Sequence, residues 1–271
     1  MKEIKIGHCV IGEKYKPLII AEMSGNHNHS LERALAIVDA AAEAGAHALK
    51  LQTYTADTMT INVDLPAFKI SDPNSLWYGR NLYELYQEAY TPWDWHKPIM
   101  DRAKEKGMLC FSTPFDHTAV DFLEELNVPA YKIASFENTD INLIKKVIST
   151  GKPIIISTGM ATLSDLELIV DTFRVCDYEN FILLKCTSAY PATPLDANIN
   201  TIPHMAEMFN CQVGLSDHTM GVGVSLAAVA LGARVIEKHF CLARAEGGVD
   251  SAFSLEPHEL KSLVLDSERV W

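Results

Sequence analysis

Two histidines near the carboxyl end of the chain have the residue type and the spacing for metal chemistry. His218 ends the motif SDH, and His239 ends the motif EKH after an intervening Gly-rich and apolar stretch. If each motif closes a strand of a parallel α/β barrel, both imidazoles face one pocket. Neutral imidazoles bind divalent transition metals, and two protein nitrogens leave the open positions typical of catalytic sites. The alternative is structural, with one histidine capping a helix and the other packing against a neighbour.

Polar side chains also follow the other short apolar runs, and a first group consists of cations and hydroxyls. Ammonium and hydroxyl groups donate the hydrogen bonds that a phosphate or a carboxylate needs. A single lysine could extend to the rim of a barrel, and a single serine could cap a helix, so the prediction depends on several donors converging. The predicted anion-binding donors are Lys50, Thr113, Lys132, Ser135, Ser157 and Ser216.

A second group consists of carboxylates around the predicted metal site. Glu22, Glu237 and Asp250 could carry protons or orient water near a cation, although they could equally be structural partners of Lys50 or Lys238. Asp250 follows two glycines, which permit close approach to a ligand. The other polar residues at these strand exits are Gln52, Glu137, Ser188 and Tyr190.

These positions matter only if strands end there. Short apolar runs bounded by turn residues, such as 18–21 and 181–184, are typical of buried strands, and eight predicted strands alternate with helical segments. Such alternation implies a parallel sheet, and eight units in 271 residues favour a closed (β/α)8 TIM barrel of the α/β class. We predict an N-terminal β-hairpin over residues 1–17 and the catalytic barrel over 18–271.

Two local features refine this prediction. Ser30 is a plausible N-cap for an Ala-rich helix over 31–44. Residues 54–91, hereafter the insertion, separate the second strand from its helix and are predicted to be irregular. Connections of this length are usually functional, which predicts a lid or specificity loop, or alternatively a subunit contact.

The amino-acid composition limits the kinds of molecule that the protein could bind. A net charge of −12 argues against nucleic acid and anionic membranes, but not against a small phosphorylated substrate. No apolar run approaches a membrane span, and the start of the chain lacks the apolar core of a signal peptide, so we expect a cytoplasmic protein. Six cysteines without a C-x-x-C pair indicate neither a zinc finger nor a disulfide framework.

Motifs along essentially the whole chain resemble the sialic acid synthase family, in order and at barrel-strand spacing. They are IIAEMSGNH (19–27), KLQTY (50–54), FSTPFD (111–116), YKIASFE (131–137), ISTGMA (156–161), GLSDHT (214–219), VIEKHF (235–240) and DSAFSLEP (250–257). Within that family, the segments LWYGRNLYELYQEAYTPWDWH and LLKCTSAYPA look most like the pseudaminic acid synthases.

The resemblance implies a metal-dependent condensation of phosphoenolpyruvate with an open-chain N-acylated amino sugar, giving a nonulosonic acid and phosphate. By similarity, His218 and His239 hold Mn²⁺ or Mg²⁺, and the six donors named above bind phosphoenolpyruvate. The residues that resemble those near the sugar and the attacking water are Glu22, Glu137, Tyr190, Glu237 and Asp250, and Gln52 and Ser188 are further substrate-binding positions.

Two departures bear on the substrate. Ser188 stands where N-acetylneuraminate-type synthases look to have Asn, which favours 2,4-diacetamido-2,4,6-trideoxy-altrose over N-acetylmannosamine. The family usually continues into an antifreeze-like C-terminal domain that reaches across a homodimer, and this chain is expected to lack it. The alternatives are an N-acetylneuraminate, legionaminate or 3-deoxy-ulosonate synthase, and a non-catalytic sugar-phosphate binding barrel.

Overall fold

A short hairpin opens the chain. The computed structural model describes residues 1–271, and in it β1 (Ile4–Ile6) pairs antiparallel with β2 (Cys9–Ile11). Gly7 makes the turn with a φ of 55° and lies against Leu109, and Gln212 donates a hydrogen bond to the carbonyl of Lys2. Leu109 and Gln212 each begin a barrel strand, so the hairpin covers the amino-terminal mouth of the barrel.

Eight parallel strands close into a barrel, as the sequence predicts. Their register is continuous around the ring, and the last strand pairs with the first, His239 lying beside Glu22. The strands are β3 (Leu18–Glu22), β4 (Ala48–Thr53), β5 (Leu109–Pro114), β6 (Tyr131–Ile133), β7 (Ile154–Ser157), β8 (Phe181–Cys186), β9 (Gln212–Asp217) and β10 (Val235–His239).

Helices surround the barrel, and their ends follow local capping chemistry. The Ser30 hydroxyl accepts a hydrogen bond from the Arg33 amide at 3.2 Å, which confirms it as the N-cap of the first helix. Asp116 caps the fifth helix in the same way. The helices are α1 (Leu31–Glu43), α2 (Ala56–Met59), α3 (Leu82–Ala89), α4 (Trp93–Glu105), α5 (His117–Glu125), α6 (Ile141–Ile148), α7 (Leu163–Val175), α8 (Thr201–Phe209), α9 (Gly223–Ala230) and α10 (Pro257–Val270).

The insertion is more regular than its composition predicts. It contains α2, α3 and a 3-10 turn at Pro66–Phe68, so the expectation of an irregular segment was wrong in part. Asn81 starts α3 by accepting hydrogen bonds from two backbone amides. None of the helices combines the length and the apolar character that crossing a membrane requires.

Candidate active site

Two lysines and two glutamates form a buried polar layer inside the carboxyl-terminal half of the barrel. The side chains of Glu22, Lys50, Lys132 and Glu237 belong to residues that are 1%, 3%, 2% and 5% exposed. They come from β3, β4, β6 and β10, and the barrel brings them together across as many as 215 positions of sequence. Ionisable groups with so little access to water must either pair with an opposite charge or become neutral.

Lys50 and Lys132 share Glu237. The Lys50 ammonium forms an ion pair with Glu22, donates to the Thr113 hydroxyl at 3.1 Å and lies 3.8 Å from Glu237 Oε2. The Lys132 ammonium donates to the Ser157 hydroxyl at 2.7 Å and lies 3.7 Å from Glu237 Oε1. Both ammonium groups therefore lie against hydroxyls from the next strand and one common carboxylate.

The pKa values of the two glutamates are shifted in opposite directions. Burial raises the pKa of Glu22 to about 7, and the nearby Glu237 charge adds to this, against the opposing effect of Lys50. Burial also acts on Glu237, but Lys132, Lys50 and a 3.0 Å hydrogen bond from the Ser216 hydroxyl outweigh it, so its pKa is lowered. Glu237 is thus ionised at neutral pH, while Glu22 can hold a proton there.

Buried hydroxyl and carboxyl oxygens without hydrogen-bond partners lie at the ends of the neighbouring strands. The Gly159 amide donates to the Ser135 hydroxyl at 3.1 Å, and a side chain at Gly159 would clash with the Ser188 hydroxyl. The absence of a side chain there lets Ser135 and Ser188 approach each other. Ser188 Oγ and Glu137 Oε2 are buried and make no hydrogen bond, and burial raises the pKa of Glu137 to about 7.

The two histidines lie side by side, with ring centroids 5.4 Å apart. His218 Nδ1 is 2.9 Å from the Thr187 carbonyl, which can only accept, so this nitrogen carries a proton and Nε2 keeps its lone pair in the neutral ring. His239 Nδ1 is buried without a hydrogen-bond partner, 3.8 Å from an Asp250 oxygen. Burial lowers the pKa of His239 well below its ordinary value, and the positive charge that His218 carries when it is protonated adds to this. Burial also acts on His218, but Cys186 and the Thr187 carbonyl outweigh it, so the pKa of His218 is raised and its lone pair is available to a metal only when the ring is neutral.

This donor set fits a divalent metal. A neutral His239 and an Nε2 lone pair on His218 supply two imidazole nitrogens, and a carbonyl that fixes one ring is the usual outer partner of a metal-binding histidine. The one group of three possible ligands within mutual reach lies elsewhere, at the start of α10, and consists of Glu256, His258 and Glu259. Remaining positions on a metal at the histidine pair would be open to water or substrate.

Aromatic rings from three loops border the histidines. The Tyr190 ring lies 4.5 Å from the His218 ring and 5.4 Å from the Phe253 ring, and Phe253 lies 4.9 Å from His239. Trp77 of the insertion reaches Tyr190 at 5.9 Å. We call Trp77, Tyr190 and Phe253 the aromatic wall.

Two other polar residues named from the sequence, Gln52 and Lys238, lie in different surroundings from the residues described above. Gln52 is half-buried on β4 beside Thr113 and makes no side-chain hydrogen bond. Lys238 turns out of the barrel, where its ammonium binds Asp217 at 3.0 Å and the carbonyl oxygens of Thr219 and Gly221. Lys238 is therefore not the partner of Glu22, Glu237 or Asp250 that the sequence allowed.

Several contributors to the site have no clear signal in the sequence. The Thr187 carbonyl is a backbone group, and Phe253 stands in a loop without periodicity. Ser24 donates its hydroxyl to the buried Asp250 from a backbone with a φ of 47°. Its place inside the motif IIAEMSGNH could have drawn attention to it, but its partner is 226 positions away.

Comparison with known proteins agrees with this architecture. The model of the NeuB family matches residues 37–271. The chain is 48% identical to a pseudaminic acid synthase of Campylobacter jejuni, covering 92% of this chain and 72% of that protein, and 37% identical to an N,N'-diacetyllegionaminic acid synthase of the same species, covering 92% and 74%. An N-acetylneuraminic acid synthetase structure from Leptospira borgpetersenii superposes with a TM-score of 0.88 at 34% identity, covering 99% of this chain and 88% of that one. The chain belongs to the NeuB family.

Proposed function

We propose that this chain is a pseudaminic acid synthase, which condenses phosphoenolpyruvate with 2,4-diacetamido-2,4,6-trideoxy-altrose to give a nine-carbon 2-keto acid and phosphate. The observation that supports this substrate is the difference in sequence identity, which is 48% to the pseudaminic acid synthase and 37% to the legionaminic acid synthase, each over 92% of this chain. The buried lysine and glutamate layer supports the chemistry, because it supplies cations and proton carriers in one water-poor place.

Phosphoenolpyruvate would bind against the two buried lysines. Lys50 and Lys132, with the hydroxyls beside them, offer donors to its carboxylate and phosphate. The charge of Glu237 opposes anion binding, whereas Glu22 in its protonated form does not. A proton on Glu22 therefore leaves a net positive charge for the anion near neutral pH.

His218 and His239 would hold Mn²⁺ or Mg²⁺ near the sugar aldehyde. The bound metal would supply Lewis acidity that makes the aldehyde carbon electrophilic toward C3 of phosphoenolpyruvate. The Thr187 carbonyl fixes the His218 ring before any ligand arrives, and Asp250 lies 3.8 Å from His239 Nδ1, where it would orient that ring when the metal binds.

Different carboxyl groups would carry out the separate proton transfers of the reaction. The aldehyde oxygen gains a proton as the C–C bond forms, and Glu22 or Glu137, with a pKa near 7, can deliver it. Water then adds at C2 and loses one proton, which restores the carboxyl group that protonated the aldehyde oxygen. The C–O bond to phosphate breaks as the new C2 hydroxyl becomes the ketone, and its proton leaves with the phosphate. The ionised Glu237, held between two ammonium groups, would orient that water and stabilise positive charge at C2.

Phosphate release from phosphoenolpyruvate tests the proposal. With Mn²⁺, the altrose derivative, its legionaminate-pathway counterpart and N-acetylmannosamine are offered in parallel, and we expect release with the altrose derivative alone. EDTA and His239→Ala should abolish it, while His258→Ala, which changes an exposed histidine, should not. Phosphate release with another sugar alone would show that the proposed substrate is wrong. Binding of phosphoenolpyruvate without phosphate release in the presence of any of the sugars would favour a non-catalytic sugar-phosphate binding barrel.

A further inference from the structure

The aromatic wall has a composition that a metal or phosphate site does not need. Its rings come from the insertion, the loop after β8 and the loop after β10. Tyr190 and Phe253 lie against the histidine pair, and Trp77 extends the wall from Tyr190. Phe253 carries no polar group, and the indole N–H of Trp77 is already engaged by the Val249 carbonyl at 2.9 Å. Two of the three rings therefore present only apolar surface.

Trp77 stands out from its neighbours in the insertion. Leu76 and Tyr78 are 48% and 60% exposed, whereas Trp77 turns inward and is half-buried. Its bond to Val249 ties the insertion to the residue just before Asp250. The ring is thus held in place on the opposite side of the barrel mouth from its own strand, next to Tyr190.

An apolar wall discriminates between sugars by their hydroxyl groups. A hydroxyl placed against Trp77 or Phe253 loses its water and gains no partner, while a methyl group gains contact. A sugar with a 6-deoxy carbon and acetamido methyl groups therefore suits this wall better than a fully hydroxylated one. One methyl group in such a pocket changes selectivity by roughly tenfold or more.

We propose that Trp77 is a specificity-determining residue that selects the deoxygenated, N-acylated end of the sugar. This inference rests on the proposed function, because it takes the sugar to bind beside the histidine pair. The tie to Val249 gives Trp77 a second effect, on the position of the Asp250 loop, and the two effects require separate variants.

The test compares Trp77→Ala, Trp77→Phe and the control Tyr78→Ala, an exposed aromatic residue with no aromatic partner. For each protein, kcat and KM are measured with the altrose derivative and with N-acetylmannosamine, and the dissociation constant of each sugar is measured by calorimetry with Mn²⁺ but without phosphoenolpyruvate. We expect Trp77→Ala to reduce the preference for the altrose derivative by roughly tenfold through KM and dissociation constant, with the KM for phosphoenolpyruvate unchanged. Trp77→Phe should keep most of the preference, and Tyr78→Ala all of it.

The outcomes separate this inference from the proposed function. If the unaltered protein prefers the altrose derivative and Trp77→Ala keeps that preference, the inference is wrong and the function stands. If Trp77→Phe loses as much preference as Trp77→Ala, the hydrogen bond to Val249 and not the wall is responsible, which also overturns it. If the unaltered protein neither binds nor converts the altrose derivative, the proposed function fails and takes this inference with it.

Discussion

Glu237→Gln should destabilise the barrel strongly, because it removes one negative charge from between two buried ammonium groups. The amide has nearly the shape of the carboxylate and can still accept the hydrogen bond from Ser216. What it lacks is the charge that faces Lys50 at 3.8 Å and Lys132 at 3.7 Å. The substitution thus tests electrostatics with little change in packing.

The distances between Glu237 and the two ammonium groups determine how large the loss of stability should be. With an effective dielectric constant of about 20, a pair of unit charges at this separation interacts by about 4 kcal/mol, and Glu237 has two such partners. The cost of desolvating the carboxylate offsets a large part of this, so the net loss in free energy of unfolding should be about 3–5 kcal/mol. Glu22→Gln should cost less, since a pKa of about 7 means that the folded protein already carries part of this residue as the neutral acid.

Urea unfolding at pH 7.5, followed by circular dichroism, measures both variants. The double variant Glu237→Gln, Lys132→Met should recover part of the loss, because Glu237 is the only carboxylate that pairs with Lys132 and the second substitution removes the ammonium left unpaired. The double-mutant cycle isolates the pair. If Glu22→Gln proves as costly as Glu237→Gln or more so, then Glu22 is the ionised carboxylate, and the division of roles proposed for the two glutamates is wrong.

Three further predictions concern separate parts of the structure. Gly159→Ala should lower kcat/KM by roughly tenfold or more with little loss of folding stability, because the new methyl group displaces the Ser188 hydroxyl inside the pocket. The destabilising effect of His96→Gln should disappear as the pH falls from 6.5 to about 4. Burial lowers the pKa of His96 to about 4, so in this pH range the unfolded chain takes up a proton that the folded protein excludes. The stability that the neutral imidazole provides therefore declines by about 1 kcal/mol per pH unit. Ser30→Ala should cost about 1 kcal/mol in urea unfolding by removing the N-cap of α1, and Ser30→Asp should not.

Each of these has a control and a contrary result. Gly223→Ala adds a methyl group where no atom lies within 4 Å, and equal damage from it would mean that the Gly159 effect is not steric. Glu22 and Glu137, with raised pKa values, change stability in the opposite direction over the same pH range, so His96 is judged by the difference between variant and unaltered protein. A difference that does not change with pH would show that His96 ionises normally. Equal losses for Ser30→Ala and Ser30→Asp would show that the cap is not the cause.

Local sequence was sufficient for the architecture. Strands are recognisable because a parallel barrel buries both faces of each strand, which produces short continuous apolar runs, and helices are recognisable from caps such as Ser30. Both signals involve only neighbours along the chain. The polar residues that end those strands could therefore be assigned to one mouth of the barrel, and the structure brings His218 and His239 together there.

The tertiary structure decided what the sequence had left open. The regular structure of the insertion depends on packing across the barrel mouth, including the bond from Trp77 to Val249, 172 positions away. Alternation along β10 puts Lys238 on the face opposite to Glu237 and His239, but only the structure shows that its partner there is Asp217 on the neighbouring strand. The raised pKa of Glu22 and the lowered pKa of Glu237 likewise depend on burial and on the distances to two lysines from other strands.

The sequence by itself thus determined the barrel, the order of its strands and the set of polar residues at one end, because periodicity, capping and turn chemistry act over a few residues. The tertiary structure alone decided which charges neutralise each other, which histidine nitrogen keeps its lone pair and which rings form the aromatic wall. These properties depend on burial and on separations of a few ångströms between residues far apart in the chain, and no local pattern encodes such distances.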